Sequence, residues 1–234
     1  MIKMIAFDAD DTLWENEVLY IKIQEQFVDI LSPYGNKEEI FDHLLETETK
    51  NVPLYGYGIK SFGLSLIETA ITTSKQQLPS AKIAEILDMI RYMLTYKLAV
   101  YEGVEETLQH LSKQYPLLMI TKGDLLDQDL KVERSGLRKY FKGIEIVATK
   151  EESTYQEIMQ RYQVAPQHFM MVGNSLRSDV LPVIALGGTG VYYENSVSWA
   201  HEHEIDPAHQ VLTYQSIHHL TEVVALVETL NNQS

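Results

Sequence analysis

The sequence predicts a doubly wound α/β protein, a parallel sheet covered by helices, with an α-helical domain inserted after the first strand. Three observations carry this. Five short runs are almost continuously apolar, as strands buried on both faces are. The stretches between most of them are amphipathic. One long interval, from about Glu15 to about Tyr101, has apolar residues only at helical spacing.

The apolar runs are Met1 to Phe7, Leu117 to Ile120, Ile144 to Val147, Phe169 to Val172 and Val191 to Tyr193, with Val211 and Leu212 as a weaker sixth. Leu108 to Leu111, Leu125 to Val132 and Val180 to Leu186 form the helical connections, the last stopped by Gly187 and Gly188. Strand and helix in alternation imply right-handed crossovers and a sheet covered on both sides. Within the long interval the helical pattern runs through Val18, Phe27 and Ile30, then Ile40, Phe41, Leu44 and Leu45, then Leu64, Ile67 and Ile71, then Ile83, Leu87, Ile90 and Leu94. Turn-forming segments at Ser32 to Gly35, Pro53 to Gly58 and Leu78 to Ser80 divide these helices. The expected domains are therefore residues 1–14 with 101–234 for the α/β core, and 15–100 for the helical insertion. This division suits 234 residues, more than one ordinary domain and less than two.

Ligands of open α/β sheets bind beyond the carboxyl ends of the strands, and the residues after each apolar run are polar here. They are Asp8-Ala9-Asp10-Asp11-Thr12, then Thr121-Lys122-Gly123-Asp124, then Thr149-Lys150, then Gly173-Asn174-Ser175 with Asp179 beyond. Residues two apart on an extended segment share a side, so Asp8 and Asp10 can face one site while Ala9 packs away. Two such carboxylates repel by roughly 4 kcal/mol at about 4 Å and an effective dielectric near 20. A cation is therefore expected between them, and a hard divalent ion such as Mg²⁺ suits oxygen ligands best. Asp8 to Thr12 equally suits a turn or a helix cap. Thr121 and Lys150 supply a hydroxyl and a fixed positive charge of the kind a bound phosphate needs, although Thr121 also suits a helix cap and Lys150 a solvated surface. With a helix opening near Ser175, Asn174 and Asp179 can reach the metal end of the crevice while also serving as cap and dipole residues.

Composition narrows the partners. A formal charge of −14 excludes a general binder of nucleic acid or anionic membrane, leaving a small substrate. No cysteine is present, so disulfides, thiolate nucleophiles and Cys-ligated metals are excluded. The N-terminal MIKMIAF is too short and too little apolar for a signal peptide, and no apolar run approaches the roughly 20 residues of a membrane span. A cytoplasmic protein is expected.

The motifs in order resemble those of the haloacid dehalogenase superfamily, in its phosphatase branch. The resemblance rests on FDADDT after the first strand, LLMIT at the end of the second, Lys150, and VGNSLRSD after the fourth, and spans Met1 to about Asp179. It implies that Asp8 attacks phosphorus to give an aspartyl-phosphate, and that Asp10 protonates the leaving oxygen and then activates water. It further implies that Thr12 steadies the loop and the orientation of Asp10, and that Mg²⁺ is held by the Asp8 carboxylate, the Asp10 backbone carbonyl, Asn174 and Asp179. The insertion falls where the family carries a helical cap that closes over substrate. Asn174 stands where an acid is common, which removes one negative ligand. Lys122 replaces a common Asn and either touches phosphate or lies exposed.

Specificity is expected from the insertion. The loop Tyr55-Gly56-Tyr57-Gly58-Ile59-Lys60 combines flexible glycines, aromatic faces and a cation, and Tyr57 is the substrate-binding candidate in it. Its tyrosines equally suit packing between helices. Trp14 could line the mouth, and His201-Glu202-His203 reads as a surface loop. The expected function is a Mg²⁺-dependent phosphatase acting on a small phosphorylated metabolite. A phosphonatase, with Lys60 as a Schiff base, a sugar-phosphate mutase or a dehalogenase share the core. A non-turnover phospho-acceptor resembling response-regulator receivers is the alternative from another class.

Overall fold

The computed structural model describes residues 1–194 and 213–232. Six strands form one parallel sheet: β1 (Met4–Phe7), β2 (Leu117–Lys122), β3 (Gly143–Val147), β4 (Phe169–Gly173), β5 (Thr189–Tyr193) and β6 (Gln215–Ile217). Their order across the sheet is β3-β2-β1-β4-β5-β6. The first five fall on the five apolar runs. β6 is new, and Val211, Leu212 and the His201-Glu202-His203 segment lie outside the described residues. The fold is thus the doubly wound α/β class expected.

The burial of the central strands explains their composition. Ile5 and Phe7 of β1 join one apolar cluster with Leu117, Met119, Met170 and Val172. Met4 and Ala6 point the other way, into a second cluster with Leu118, Ile120, Phe169 and Met171. Both faces of each central strand are therefore apolar, and no alternating pattern appears in the sequence. The register is in step across the middle of the sheet, with Phe7 opposite Met119 on one side and Val172 on the other. The order of strands reverses at β1 and β4, which places the topological switch point between them.

Two compact units make up the chain. The first comprises Met1–Glu17, Leu98–Lys122 and the chain from Leu130 onward, and holds the sheet. With it go α5 (Val104–Leu111), α7 (Glu152–Arg161), α8 (Leu181–Ala185) and α9 (Glu222–Asn232). The second comprises Val18–Lys97 and Gly123–Asp129. It is built on α1 (Glu17–Leu31), α2 (Lys37–Tyr55), α3 (Ile59–Thr73) and α4 (Ser80–Thr95), with α6 (Leu125–Ser135) beginning in it. Gly123–Asp129, which the sequence groups with the sheet, falls in the helical unit.

The helical unit has its own core of Ile23, Phe27, Leu31, Ile40, Leu44, Phe62, Leu66 and Ile86, among others. Two of its breaks fall where turn residues occur, at Ser32 to Asn36 and before Ser80. The third begins later than expected. Pro53 lies inside α2, which runs on to Tyr55 and ends at Gly56 with φ +74. Pro53 has no N–H to give the Thr49 carbonyl, so the helix runs through it with one intrahelical bond missing. No helix among the described residues is long and apolar enough to cross a membrane.

Candidate active site

Asp8 directly follows β1, and its backbone N–H donates to the carbonyl of Val172 in β4 at 2.9 Å, so the strand pairing itself fixes this residue. The chain then turns sharply. Thr12 and Leu13 donate back to the carbonyl of Ala9, and Asp11 takes φ 58, a left-handed conformation that Asp tolerates better than most residues. This turn carries Thr12 back beneath Asp8. The Thr12 hydroxyl lies 2.8 Å from Asp8 Oδ2 and 3.1 Å from Asn174 Oδ1, and accepts from the Asn174 backbone N–H at 3.2 Å. Thr12 thereby joins the loops after β1 and β4.

The other oxygen of Asp8 accepts from Lys150 Nζ, and the same ammonium donates to Asp179 Oδ1 at 2.7 Å. All three side chains are buried. Burial alone would push the Lys150 ammonium down, but the carboxylates of Asp179 and Asp8 outweigh it and hold the group above the ordinary lysine range. Lys150 is therefore a fixed positive charge shared by two acids.

Asp179 is held from its other side by the backbone N–H of Ser175, at 3.1 Å to Oδ2. The Ser175 hydroxyl accepts from Ser178 N–H at 3.0 Å and so caps the π-helical turn Leu176–Val180, the cap role that the sequence offers to Asn174. Tyr155 of α7 adds a bond from its hydroxyl to the Ser178 carbonyl at 2.8 Å. A Cβ at Gly173 would overlap the Asp179 carboxylate, which accounts for glycine there. Lys122, at the end of β2, is half-buried, with Nζ 3.4 Å from Ser178 Oγ. Thr121, beside it, is buried at the carboxyl end of the same strand.

Asp8, Thr12, Thr121, Lys122, Lys150, Asn174 and Asp179 thus stand at the carboxyl edge of one sheet. Tyr57 belongs to the helical unit, in the link between α2 and α3, and is half-buried. One expectation changes, that of Trp14. Asp8 and Asp10 each accept from a buried lysine. Asp10 pairs with Lys131 of α6, whose Nζ lies 3.1 Å and 3.0 Å from its two oxygens, and accepts from Trp14 Nε1 at 2.7 Å. Trp14, expected near a mouth, is fully buried in the apolar core, and its indole N–H donates to Asp10.

Lys131 and Tyr155 are the residues that sequence reasoning missed. Ser175 was visible as a cap-type residue ahead of a helix. Lys131 gave no such signal, since a lysine within an amphipathic helix reads as solvated surface.

Fit to a divalent cation rests on the donor set. Asp8 Oδ2 and Asn174 Oδ1 both meet the Thr12 hydroxyl, and Asp8 Oδ1 and Asp179 Oδ1 both meet the Lys150 ammonium. Two carboxylates and an amide oxygen therefore converge within one hydrogen bond of common partners. All are hard oxygen donors, as Mg²⁺ requires. Among the described residues no three acids or histidines cluster as a metal cage. The Asp10 side chain is engaged by Lys131 and Trp14.

The haloacid dehalogenase-like hydrolase family matches over residues 2–187. A haloacid dehalogenase-like family hydrolase from Xanthomonas campestris superposes with a TM-score of 0.87 at 35% identity, over 99% of this chain and 93% of that one. A 2-haloacid dehalogenase from Pseudomonas syringae pv. Tomato shares the fold, with a TM-score of 0.66 at 20% identity over 98% and 100% of the two chains. An N-acylneuraminate-9-phosphatase of Rattus norvegicus is 24% identical over 190 residues, 76% of this chain and 77% of the relative. The protein is accordingly an enzyme of the hydrolase class. It belongs to the haloacid dehalogenase-like hydrolase family.

Proposed function

We propose that the protein is a Mg²⁺-dependent phosphatase of small organic phosphate monoesters, with Asp8 as nucleophile and Asp10 as general acid and base. The observation that carries the reading is the double setting of acids. Asp8 is clamped by Thr12 and Lys150, while a second, separately held acid stands two residues on. Dehalogenation of a 2-haloacid releases a halide that needs no proton, so it has no use for an acid at the leaving group. An alkoxide leaving group does. The phosphatase among the relatives supports the same reading.

In the reaction Asp8 Oδ attacks phosphorus as the bond to the leaving oxygen breaks, and Asp10 gives that oxygen its proton. Asp10, now a carboxylate, takes a proton from water, whose oxygen attacks the aspartyl-phosphate. Inorganic phosphate leaves and Asp8 is regenerated. Lys150 holds Asp8 and offsets the charge that opposes the approach of a carboxylate to an anionic ester. Thr121 and Lys122 offer a hydroxyl and a cation to the outer phosphoryl oxygens. Asp8, Asn174, Asp179 and the Asp10 carbonyl would hold Mg²⁺, and a divalent ion bound there supplies charge neutralisation at the phosphoryl oxygens. The inserted helical unit, Tyr57 included, selects the organic group, and the protein acts in the cytoplasm on a phosphorylated metabolite.

The test is release of inorganic phosphate from a panel of monoesters with and without Mg²⁺. Turnover is expected with Mg²⁺ and not with chelator, and Asp8→Asn should lower it by at least about a thousandfold with the fold intact. Wild-type hydrolysis of para-nitrophenyl phosphate by Asp8→Asn, or halide release from a 2-haloacid without phosphatase activity, would overturn the reading.

A further inference from the structure

The most unusual placement of charge in the molecule lies on α6. Its leucines face outward, with Leu125 69%, Leu126 60% and Leu130 43% exposed, while Asp127, Gln128 and Lys131 are buried to 5% or less. Such an inversion of the amphipathic pattern costs stability unless the buried polar groups are used. Lys131 is used in full. Its ammonium has three donors, and they meet Asp10 Oδ1 at 3.1 Å, Asp10 Oδ2 at 3.0 Å and Asn16 Oδ1 at 2.8 Å. Trp14 Nε1 adds a fourth bond to this group, to Asp10 Oδ1 at 2.7 Å.

We propose that Lys131, assisted by Trp14 and Asn16, is the positioning residue that fixes the Asp10 carboxylate for proton transfer. The inference rests on the assignment of Asp10 as acid and base given above. A carboxylate on a single side-chain carbon rotates between staggered positions, and proton transfer needs it within about 3 Å of the leaving oxygen. Contact with both oxygens at once, from a side chain that is itself only 6% exposed, removes that freedom. The Asp10 side chain keeps 21% exposure, so the acid remains reachable while its clamp is sealed. Asn16 holds the ammonium on its far side and Trp14 is wholly buried, so neither anchor can swing with the acid. The clamp also ties the loop after β1 to a helix that follows β2.

Single-turnover kinetics on two substrates tests this. Para-nitrophenolate leaves without a proton, whereas an alkyl phosphate such as propyl phosphate needs one. Lys131→Met should slow aspartyl-phosphate formation from propyl phosphate by tenfold or more, a part of the roughly 10²–10⁴-fold that general acid catalysis supplies. It should leave formation from para-nitrophenyl phosphate within about threefold and change KM little. Lys131→Arg should restore most of the alkyl rate. Trp14→Phe, which keeps the core filled, should shift the ratio in the same direction by a smaller factor and serves if Lys131→Met fails to fold.

Equal slowing of both substrates, an effect on KM alone, or an unchanged ratio in the folded variants would overturn the inference. Asp8→Asn measured alongside separates the two levels. If it is inactive while Lys131→Met keeps the wild-type ratio, the phosphatase reading stands and the clamp falls. If Asp8→Asn is active, the reading itself falls.

Discussion

Asp11 shows how much a single buried acid can cost. Burial pushes its carboxyl up to about 6, against the lowering effect of bonds from Glu17 and Asn16 N–H. Burial and the neighbouring Asp11 and Asp10 push Glu17 up to about 7. An acid whose pKa is raised in the folded state keeps its proton while the unfolded chain has already lost it. Stability therefore falls as pH rises from about 4 to about 6 for Asp11, and from about 4.5 to about 7 for Glu17, and the loss persists above. Asn at position 11 keeps an oxygen for the two backbone donors, 3.0 Å away in each case, and tolerates φ 58. Asp11→Asn is expected to raise stability at pH 8 by on the order of 1–3 kcal/mol and to gain little at pH 4. Urea unfolding of the metal-free protein at both pH values measures this, and an equal gain at both would contradict it. The site residues that follow apolar runs were legible because strand ends announce them. Lys131 was not, because its burial is decided by Asp10, a residue 121 positions away.

At the scale of elements, local chemistry set most boundaries. Asn36 caps α2, its side chain accepting from Glu39 N–H at 2.9 Å, ahead of the acidic first turn Glu38-Glu39. Asn36→Ala should cost about 1 kcal/mol, read as a lower urea midpoint with an unchanged slope. Gly63 is different in kind. A Cβ there would press on the Ile90 side chain, so glycine lets α3 and α4 approach closely. Helical periodicity revealed all four helices of the inserted unit, since each has a buried apolar face. It misled at Pro53, where the helix continues through a residue that usually ends one, and at Val18, Phe41, Leu64, Ile71 and Leu87, which belong to the pattern yet are exposed. β6 escaped notice for the opposite reason: of its three residues Gln215 and Ser216 are exposed and only Ile217 is buried, so no apolar run marks it.

For the molecule as a whole, 33 acids against 19 basic residues leave a net charge of −14, and self-repulsion opposes the compact state. Raising NaCl from about 20 to about 300 mM shortens the screening length severalfold and should raise the melting temperature by about 2–4 °C, as expected for roughly 1 kcal/mol in a chain of this size. A fall in melting temperature with salt would show that attractive pairs such as Lys37–Asp29, 2.6 Å apart, outweigh the repulsion. The doubly wound class was legible from the alternation of runs and helices, but which strands are neighbours was not, because parallel pairing joins segments remote in sequence. That remoteness has a consequence for a chain being made on a ribosome. Asp8 emerges 142 residues before Lys150, a delay of roughly ten seconds or more at ordinary rates of synthesis. Until then the acidic loop has neither β4 to pair with nor its cations. A nascent chain therefore holds Asp8 without these partners until the segment through β4 has been made.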